Sequence, residues 1–450
     1  MKRLDYPDLV DLMKGRDTTR KWDVMVSYDE DKLNSLLRAD STKLKDVLTI
    51  PPFKREIQDN WGRSEEVLFI MSLANPNLQF LSGDHNRVAL KCQMTGHYES
   101  VGKTPKVEMP FPEGTSLELH VSLLNCAGQR VPDEKGVRFL LDTENGIPQG
   151  YPKDYTITLD PGNGRGNGLC LVFHDTTATI TSENVIVGFG ARKGIENHFH
   201  NDGKALYYYL TGVSRYTPDA KNRVLEPVAF NFGISCGEKN QHGVLTTWIS
   251  VKGGAGGGER PSGQEPLTFK PDDKTTQWPI PNGSSASIII SSYAMVELFF
   301  KPNLVDAFEN LTQVKSDEGI AFKGALKSGN IHVDGFAKTT KPGDTSPNLL
   351  NLKFTEHDRY GVKTEAQQPT FWEEWLMGGS GELPDFYRNL SAPRPNIDLT
   401  MHALDYFLTT NVFLPGQHIF KAHSPVADAS KSKGLAFPRD LILTGDVATE

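Results

Sequence analysis

The chain has 450 residues, a net charge of −8, 38% hydrophobic residues and 23% charged residues. That balance suits a packed globular protein and argues against wholesale disorder. No dense Lys/Arg stripe supplies the charge that a nucleic-acid partner needs, and no run of about eighteen apolar residues reads as a membrane span.

Residues 1–20 read as a polar lead-in with a short helical patch around Leu9–Met13. Met1-Lys-Arg-Leu-Asp-Tyr-Pro lacks the apolar core of a secretory leader, so the expected compartment is the cytosol, or the exterior after export without a cleaved signal. Asp23-Val-Met-Val-Ser-Tyr then alternates as a strand. Ser27 and Glu30 match a capping box ahead of a helix that carries Leu33, Leu36 and Leu37 on one face.

Strand signals dominate from there. Val88, Leu90, Cys92 and Met94 alternate with polar residues, as do Leu117, Leu119, Val121 and Leu123, and then Tyr155, Ile157 and Leu159. A period of two gives one apolar and one wet face, the mark of antiparallel sheet covered on one side. Further strands are predicted at 67–72, 169–174, 185–190, 205–213, 244–251, 320–325, 329–337 and 350–355. The 41 glycines and 28 prolines fit a chain of many turns. Ser82–Asn86 and Lys327–Asn330 are predicted hairpin connections.

The clearest break is 253–285, which opens Gly253-Gly-Ala-Gly-Gly-Gly258 and reads as a mobile linker or loop. It divides a first block, 21–252, from a second, 286–450. The second block begins with another strand–helix unit, Ser287-Ile-Ile-Ile-Ser, whose helix offers Met295, Val296, Phe299 and Phe300 and ends at Pro302. A looser third unit, Ile397–Leu408, carries Leu404, Phe407 and Leu408. The unequal spacing is not that of a solenoid, and the units read as strand-to-helix entries into separate sheet layers. The fold class is α+β, mostly β, with highly curved antiparallel sheets wrapped around a few amphipathic helices.

Trp22-Asp-Val-Met-Val-Ser-Tyr, Lys32-Leu-Asn-Ser-Leu-Leu37 and Pro279-Ile-Pro-Asn-Gly-Ser-Ser-Ala-Ser-Ile-Ile-Ile-Ser291 resemble a family of forty-seven-kilodalton accessory proteins from clostridial neurotoxin gene clusters. That family is similar to the tubular lipid-binding (TULIP) superfamily. The resemblance covers these anchor segments, and the rest of the chain only by general pattern. It implies a curved antiparallel sheet around a long helix, with a lipid-sized groove between them. The chain differs from the secreted members in showing neither a leader nor an evident disulfide.

No H-E-x-x-H pair is present. Cys92, Cys126, Cys170 and Cys236 include no C-x-x-C and read as reduced, structural thiols. His198-Phe-His200 would put two imidazoles on one side of a strand, but no third ligand is evident, so no metal is predicted. Gly162-Asn-Gly-Arg-Gly-Asn-Gly168 has no helix after it and reads as a hairpin loop rather than a phosphate cradle. Gly378-Gly-Ser-Gly381, after Trp372 and Trp375, reads as a turn below packed tryptophans.

An apolar helix face is commonly ordinary core. Few helices, many strands and a helix after the first strand of each block favour a cavity lining instead. The expected function is non-enzymatic binding of a lipid or other hydrophobic ligand, lined by Leu33, Leu36, Leu37, Met295, Val296, Phe299, Phe300, Leu404, Phe407 and Leu408. No cofactor and no nucleic acid are expected, and contact with a membrane surface fits the same reading. The alternative is an interaction subunit of a toxin-type complex that has lost its ligand. A weaker third reading is a β-rich enzyme using His198 or His200.

Overall fold

The computed structural model describes residues 3–14, 16–39, 41–58, 64–81, 86–102, 105, 107–133, 136–141, 157–159, 165–201, 206–214, 225–236, 242–258, 278–300, 308–314, 320–326, 332–338, 351–357, 363–367, 412–413, 419–422, 435–436 and 440–448. In chain order the first elements are α1 (Tyr6–Met13), β1 (Val24–Asp29), α2 (Glu30–Ala39), α3 (Ser41–Leu48), β2 (Phe53–Gln58) and β3 (Ser64–Phe80). Next come β4 (Arg87–Ser100), β5 (Glu108–Pro110), β6 (Ser116–Asp133), β7 (Gly136–Leu141), β8 (Ile157–Thr158) and β9 (Arg165–Thr181). A π-helical turn, Ile186–Gly190, runs into α4 (Ala191–Asn201). Then follow β10 (Tyr207–Ser214), β11 (Pro227–Cys236), β12 (Gly243–Val251) and β13 (Ala286–Ile290). The short α5 (Ser292–Ala294) continues as a π-helical stretch, Met295–Phe300. The last strands are β14 (Phe308–Val314), β15 (Ile320–Leu326), β16 (His332–Lys338), β17 (Asn351–His357), β18 (Lys363–Gln367), β19 (Val412–Phe413), β20 (Ile419–Ala422), β21 (Leu435–Ala436) and β22 (Leu441–Ala448).

These strands make three antiparallel sheets. The first runs β20-β22-β13-β1-β12-β11-β8, with β21 beside β22. The second runs β19-β10-β9-β6-β4-β3-β2, with β5 on β4 and β7 on β6. The third is the meander β14-β15-β16-β17-β18. The protein is mostly β with few helices, and a strongly curled antiparallel sheet forms a half-barrel. Two devices suit that curl. β3, β6 and β9 are 17, 18 and 17 residues long, and long strands accumulate twist. Register shifts break the β3–β4 pairing between Ala74 and Asn77, and the β6–β9 pairing between His120 and Ser122. Such bulges bend the strand that carries them.

The first sheet is covered on both faces. Val24, Val26 and Tyr28 of β1 point into the main core. Met25 points the other way, with Trp248, Ile289 and Ile442 from the neighbouring strands, and is covered by Tyr6, Leu9, Val10 and Met13 of α1. The lead-in helix is therefore part of a core. One row along, Ser27, Thr246, Ser287 and Thr444 form a fully buried ladder of hydroxyls across four strands, with Ser27 Oγ 3.1 Å from Thr246 Oγ1.

Several expectations change here. The first two strand–helix units do not enter separate layers: β1 and β13 are adjacent in one sheet and antiparallel, so α2 and α5 leave from opposite ends of it. Ser27 lies inside β1, and the cap of α2 is Asp29, whose Oδ1 accepts from the amides of Asp31 (2.9 Å) and Lys32 (3.3 Å). Residues 186–190, read as strand, form the π-helical turn because Asn184 Oδ1 accepts from the amides of Ile186 and Val187. Residues 165–168 of the glycine-rich segment belong to β9, and β8 pairs with β11, so that segment is no hairpin loop. The opening of the Gly-rich break is held in place, with the Ala255 amide donating to Asp23 at 2.8 Å, and Trp278 and Ile280 near its end pack on Val244.

Asp440, fully buried, ties distant parts of this frame together. Its carboxylate accepts from the Thr18 amide (2.7 Å), the Thr18 hydroxyl (2.6 Å) and the Ser292 amide (2.8 Å). Asp440→Ala leaves those donors buried without an acceptor and is expected to cost about 3 kcal/mol. A urea unfolding midpoint indistinguishable from the parent protein would contradict this.

Candidate functional site

α2 lies between the first sheet and the curled second sheet, α4 lies on the second, and polar side chains fix where both lie. β2 pairs with β3 only over residues 64–69, which leaves the far half of that β3 edge open. α2 closes it. Asn34 Nδ2 donates to the Leu78 carbonyl at 2.7 Å, Asn34 Oδ1 accepts from the Leu78 amide at 2.6 Å, and Glu30 Oε2 accepts from the Phe80 amide at 3.0 Å. Glu30 and Asn34 are four residues apart, so they share one face of the helix. α4 repeats the device on β9, where the register breaks. Glu196 Oε1 accepts from the Ala178 amide at 3.2 Å, and four residues on His200 Nε2 lies 3.0 Å from the Thr176 carbonyl.

With the helices pinned, their apolar faces meet the sheet. Leu33, Leu36 and Leu37 of α2, Leu44, Val47 and Leu48 of α3, and Val187, Ala191, Ile195 and Phe199 of the longest helix join one continuous apolar cluster. Its sheet side includes Phe69, Phe80, Leu90, Leu119 and Phe173. Gly190 and Gly194 let the helix settle directly on the sheet. A Cβ at Gly190 would sit 2.9 Å from Ile57 and Phe69, and one at Gly194 would overlap the Phe53 ring.

Four of the ten predicted lining residues are thus brought together: Leu33, Leu36, Leu37 and Met295 are buried in the same cluster. Val296, Phe299 and Phe300 lie on the π-helical stretch after α5, where the backbone alone is described. Leu404, Phe407 and Leu408, and with them the third strand–helix unit, lie outside the described residues, as do Trp372, Trp375 and the Gly378–Gly381 turn.

The composition of this layer gave no hint of its open rim. Val185 and Phe189, four apart on the helical turn, are 71% and 78% exposed, although Val187, Ala191 and Ile195 behind them are fully buried. Val107 and Met109 at the β5 edge are exposed too. Met109 pairs with Tyr98, whose hydroxyl lies 3.3 Å from Asn184 Nδ2 at the start of the turn, so the β5 edge and the turn both adjoin Tyr98.

The histidines are placed differently from the prediction. His198 and His200 sit on α4, not on a strand, and residues two apart on a helix diverge. His198 packs edge-on against Phe199, and His200 serves the strand backbone. A different set converges: one donor atom each from His97, Glu99 and Glu108 lie within 4.8 Å of one another, with His97 Nε2 3.5 Å from Glu108. Cys92, Cys126 and Cys170 are buried free thiols and Cys236 is partly buried. Burial pushes the Cys92 thiol up to about 12, which keeps it protonated and unreactive.

Glu30 carries the main electrostatic signature of the helix layer. It is 5% exposed, and desolvation raises its pKa to about 7, against the opposing pull of the Phe80 amide bond. The unfolded chain releases this proton near pH 4.5 while the fold holds it to about 7, so this residue makes stability fall as pH rises through that window. The expected contribution is at most about 3 kcal/mol. Urea titrations of Glu30→Gln should lack this downward component between about pH 5 and 7, and a variant that tracks the parent at every pH would contradict the assignment.

No family model matches the sequence, and no curated protein matches it. The resemblance to the clostridial accessory family therefore stands on its anchor segments alone. Among solved structures, the chain is similar to one described as the crystal structure of lipopolysaccharide binding protein. The match has 12% identity and a TM-score of 0.24, and covers 95% of this chain and 99% of that one. A likeness at that level carries no argument about ligand or mechanism. What the geometry defines is a class: a mostly β protein with a pinned helix layer inside a curled antiparallel sheet. Among the described residues no helix is long and apolar enough to cross a membrane.

Proposed function

We propose that the protein binds a lipid or similar hydrophobic ligand without chemical turnover, in the layer between the helices and the curled sheet, in the manner of the tubular lipid-binding proteins. The observation that carries this reading is the rim. Large apolar side chains are normally scattered singly on a surface, yet here Val107 and Met109 at the β5 edge and Val185 and Phe189 at the turn are exposed on two segments that both adjoin Tyr98. Such an edge is the proposed point of entry for a hydrocarbon chain. Each methylene buried beyond it contributes about 0.8 kcal/mol before the cost of immobilisation. The proposed lining is Leu33, Leu36, Leu37 and Met295, together with Val296, Phe299, Phe300, Leu404, Phe407 and Leu408.

The same exposed edge also suits a protein partner, which keeps the accessory-subunit reading as its competitor. Native mass spectrometry of the purified protein distinguishes the two. A co-purifying amphiphile is expected. Phe189→Asp alters an exposed side chain and should spare the fold while weakening uptake of a fluorescent fatty acid about tenfold. No bound amphiphile, together with no uptake by the parent protein, would defeat the lipid reading.

A further inference from the structure

β2 turns a half-buried arginine toward the apolar layer. Its residues alternate, with Lys54, Glu56 and Gln58 exposed and Phe53, Arg55 and Ile57 turned inward. Phe53 and Ile57 pack on the main core beneath the helix that starts at Ile186, and Phe53 stacks on Phe69 with ring centroids 5.4 Å apart. Arg55 lies between them. Its Nε is enclosed by protein and has no hydrogen-bond partner.

The nearby carboxylates do not answer it. Glu196 on α4 is held by Arg192 at 3.1 Å, and Glu66 pairs with Lys54 on the other face. Glu65 is the cross-strand partner of Ile57 and so lies diagonally from Arg55, and no ion pair joins those two residues. A guanidinium N–H taken out of water without an acceptor is costly to keep, and at Arg55 the Nε–H is in that position. The planar guanidinium fork matches carboxylate and phosphate oxygens. The surroundings match hydrocarbon: Phe53, Ile57 and Phe69 form the wall, and the exposed Val185 and Phe189 lie five residues and one residue before Gly190, the glycine seated on Ile57.

We propose that Arg55 receives the negatively charged head of the ligand, so that the protein selects carboxylate- or phosphate-headed amphiphiles over uncharged ones of the same chain length. This rests on the lipid-binding reading above and narrows it to a chemical class. It also assigns an entrance. The head is held at β2, the edge strand of the curled sheet, and the chain lies against the helix.

Isothermal titration calorimetry with the 450-residue chain tests this, using dodecanoate, dodecyl phosphate, dodecanol and inorganic phosphate as probes. The two charged amphiphiles should bind at least about tenfold more tightly than dodecanol, the scale of a charge-assisted hydrogen bond. Arg55→Gln should bring them down to the dodecanol level and leave dodecanol unchanged, while Arg55→Lys should retain part of the preference. A matching thermal transition for both variants establishes that the fold is intact. Equal binding of charged and uncharged chains by the parent protein, or a preference that survives Arg55→Gln, would overturn the assignment while leaving lipid binding in place. Binding of none of the three chains would remove both. Inorganic phosphate binding as tightly as dodecyl phosphate would make Arg55 a free-anion site and overturn the amphiphile assignment.

Discussion

Curling a long antiparallel sheet leaves backbone groups without strand partners, and the architecture depends on how those groups are satisfied. A buried amide or carbonyl without a partner costs a large fraction of a small protein's stability. Here two helices supply the missing partners. Glu30 and Asn34 close the open β3 edge at Leu78 and Phe80, and Glu196 and His200 serve Ala178 and Thr176 beside the break in β9. In each case the pair is spaced i, i+4, so that one helix face both bonds the backbone and lays its leucines, or its Ile195 and Phe199, onto the sheet. Polar contacts set the position and apolar burial supplies the energy.

That arrangement has a consequence for ligand binding. The helix layer has an edge at which apolar side chains meet water. The turn Ile186–Gly190 forms this edge. It buries Val187 and presents Val185 and Phe189 to water, in a stretch whose wider π-helical winding departs from regular α-helix. The exposed apolar turn and the Arg55 Nε without an acceptor are the two ends of the proposed amphiphile site.

Much of this fold is legible in the sequence where side-chain alternation is strict. The runs through Val88–Met94 and Leu117–Leu123 fall in long strands with their apolar residues inward, and the face carrying Leu33, Leu36 and Leu37 is buried as its spacing demands. Local signals mislead where tertiary contacts decide. The β-branched run at 185–187 favours strand, but a single capping side chain, Asn184, turns it into helix. Glu30 three residues after Ser27 satisfies the capping-box pattern, yet its carboxylate is used by a strand fifty residues away, and Asp29 caps instead. His198 and His200 suggest metal ligands only if they alternate on a strand, and the helix period separates them. Arg55 carries no sequence signal at all, because its isolation depends on which carboxylates the fold brings near.

The central claim is that helix side chains stand in for missing strand partners. Native-state hydrogen exchange at the Leu78, Phe80 and Ala178 amides tests it most directly. The account predicts protection as deep as that of amides paired within the sheet, with Leu78 released selectively by Asn34→Ala. Exchange of these three amides at the rate of an open sheet edge, while their strand neighbours stay protected, would contradict it.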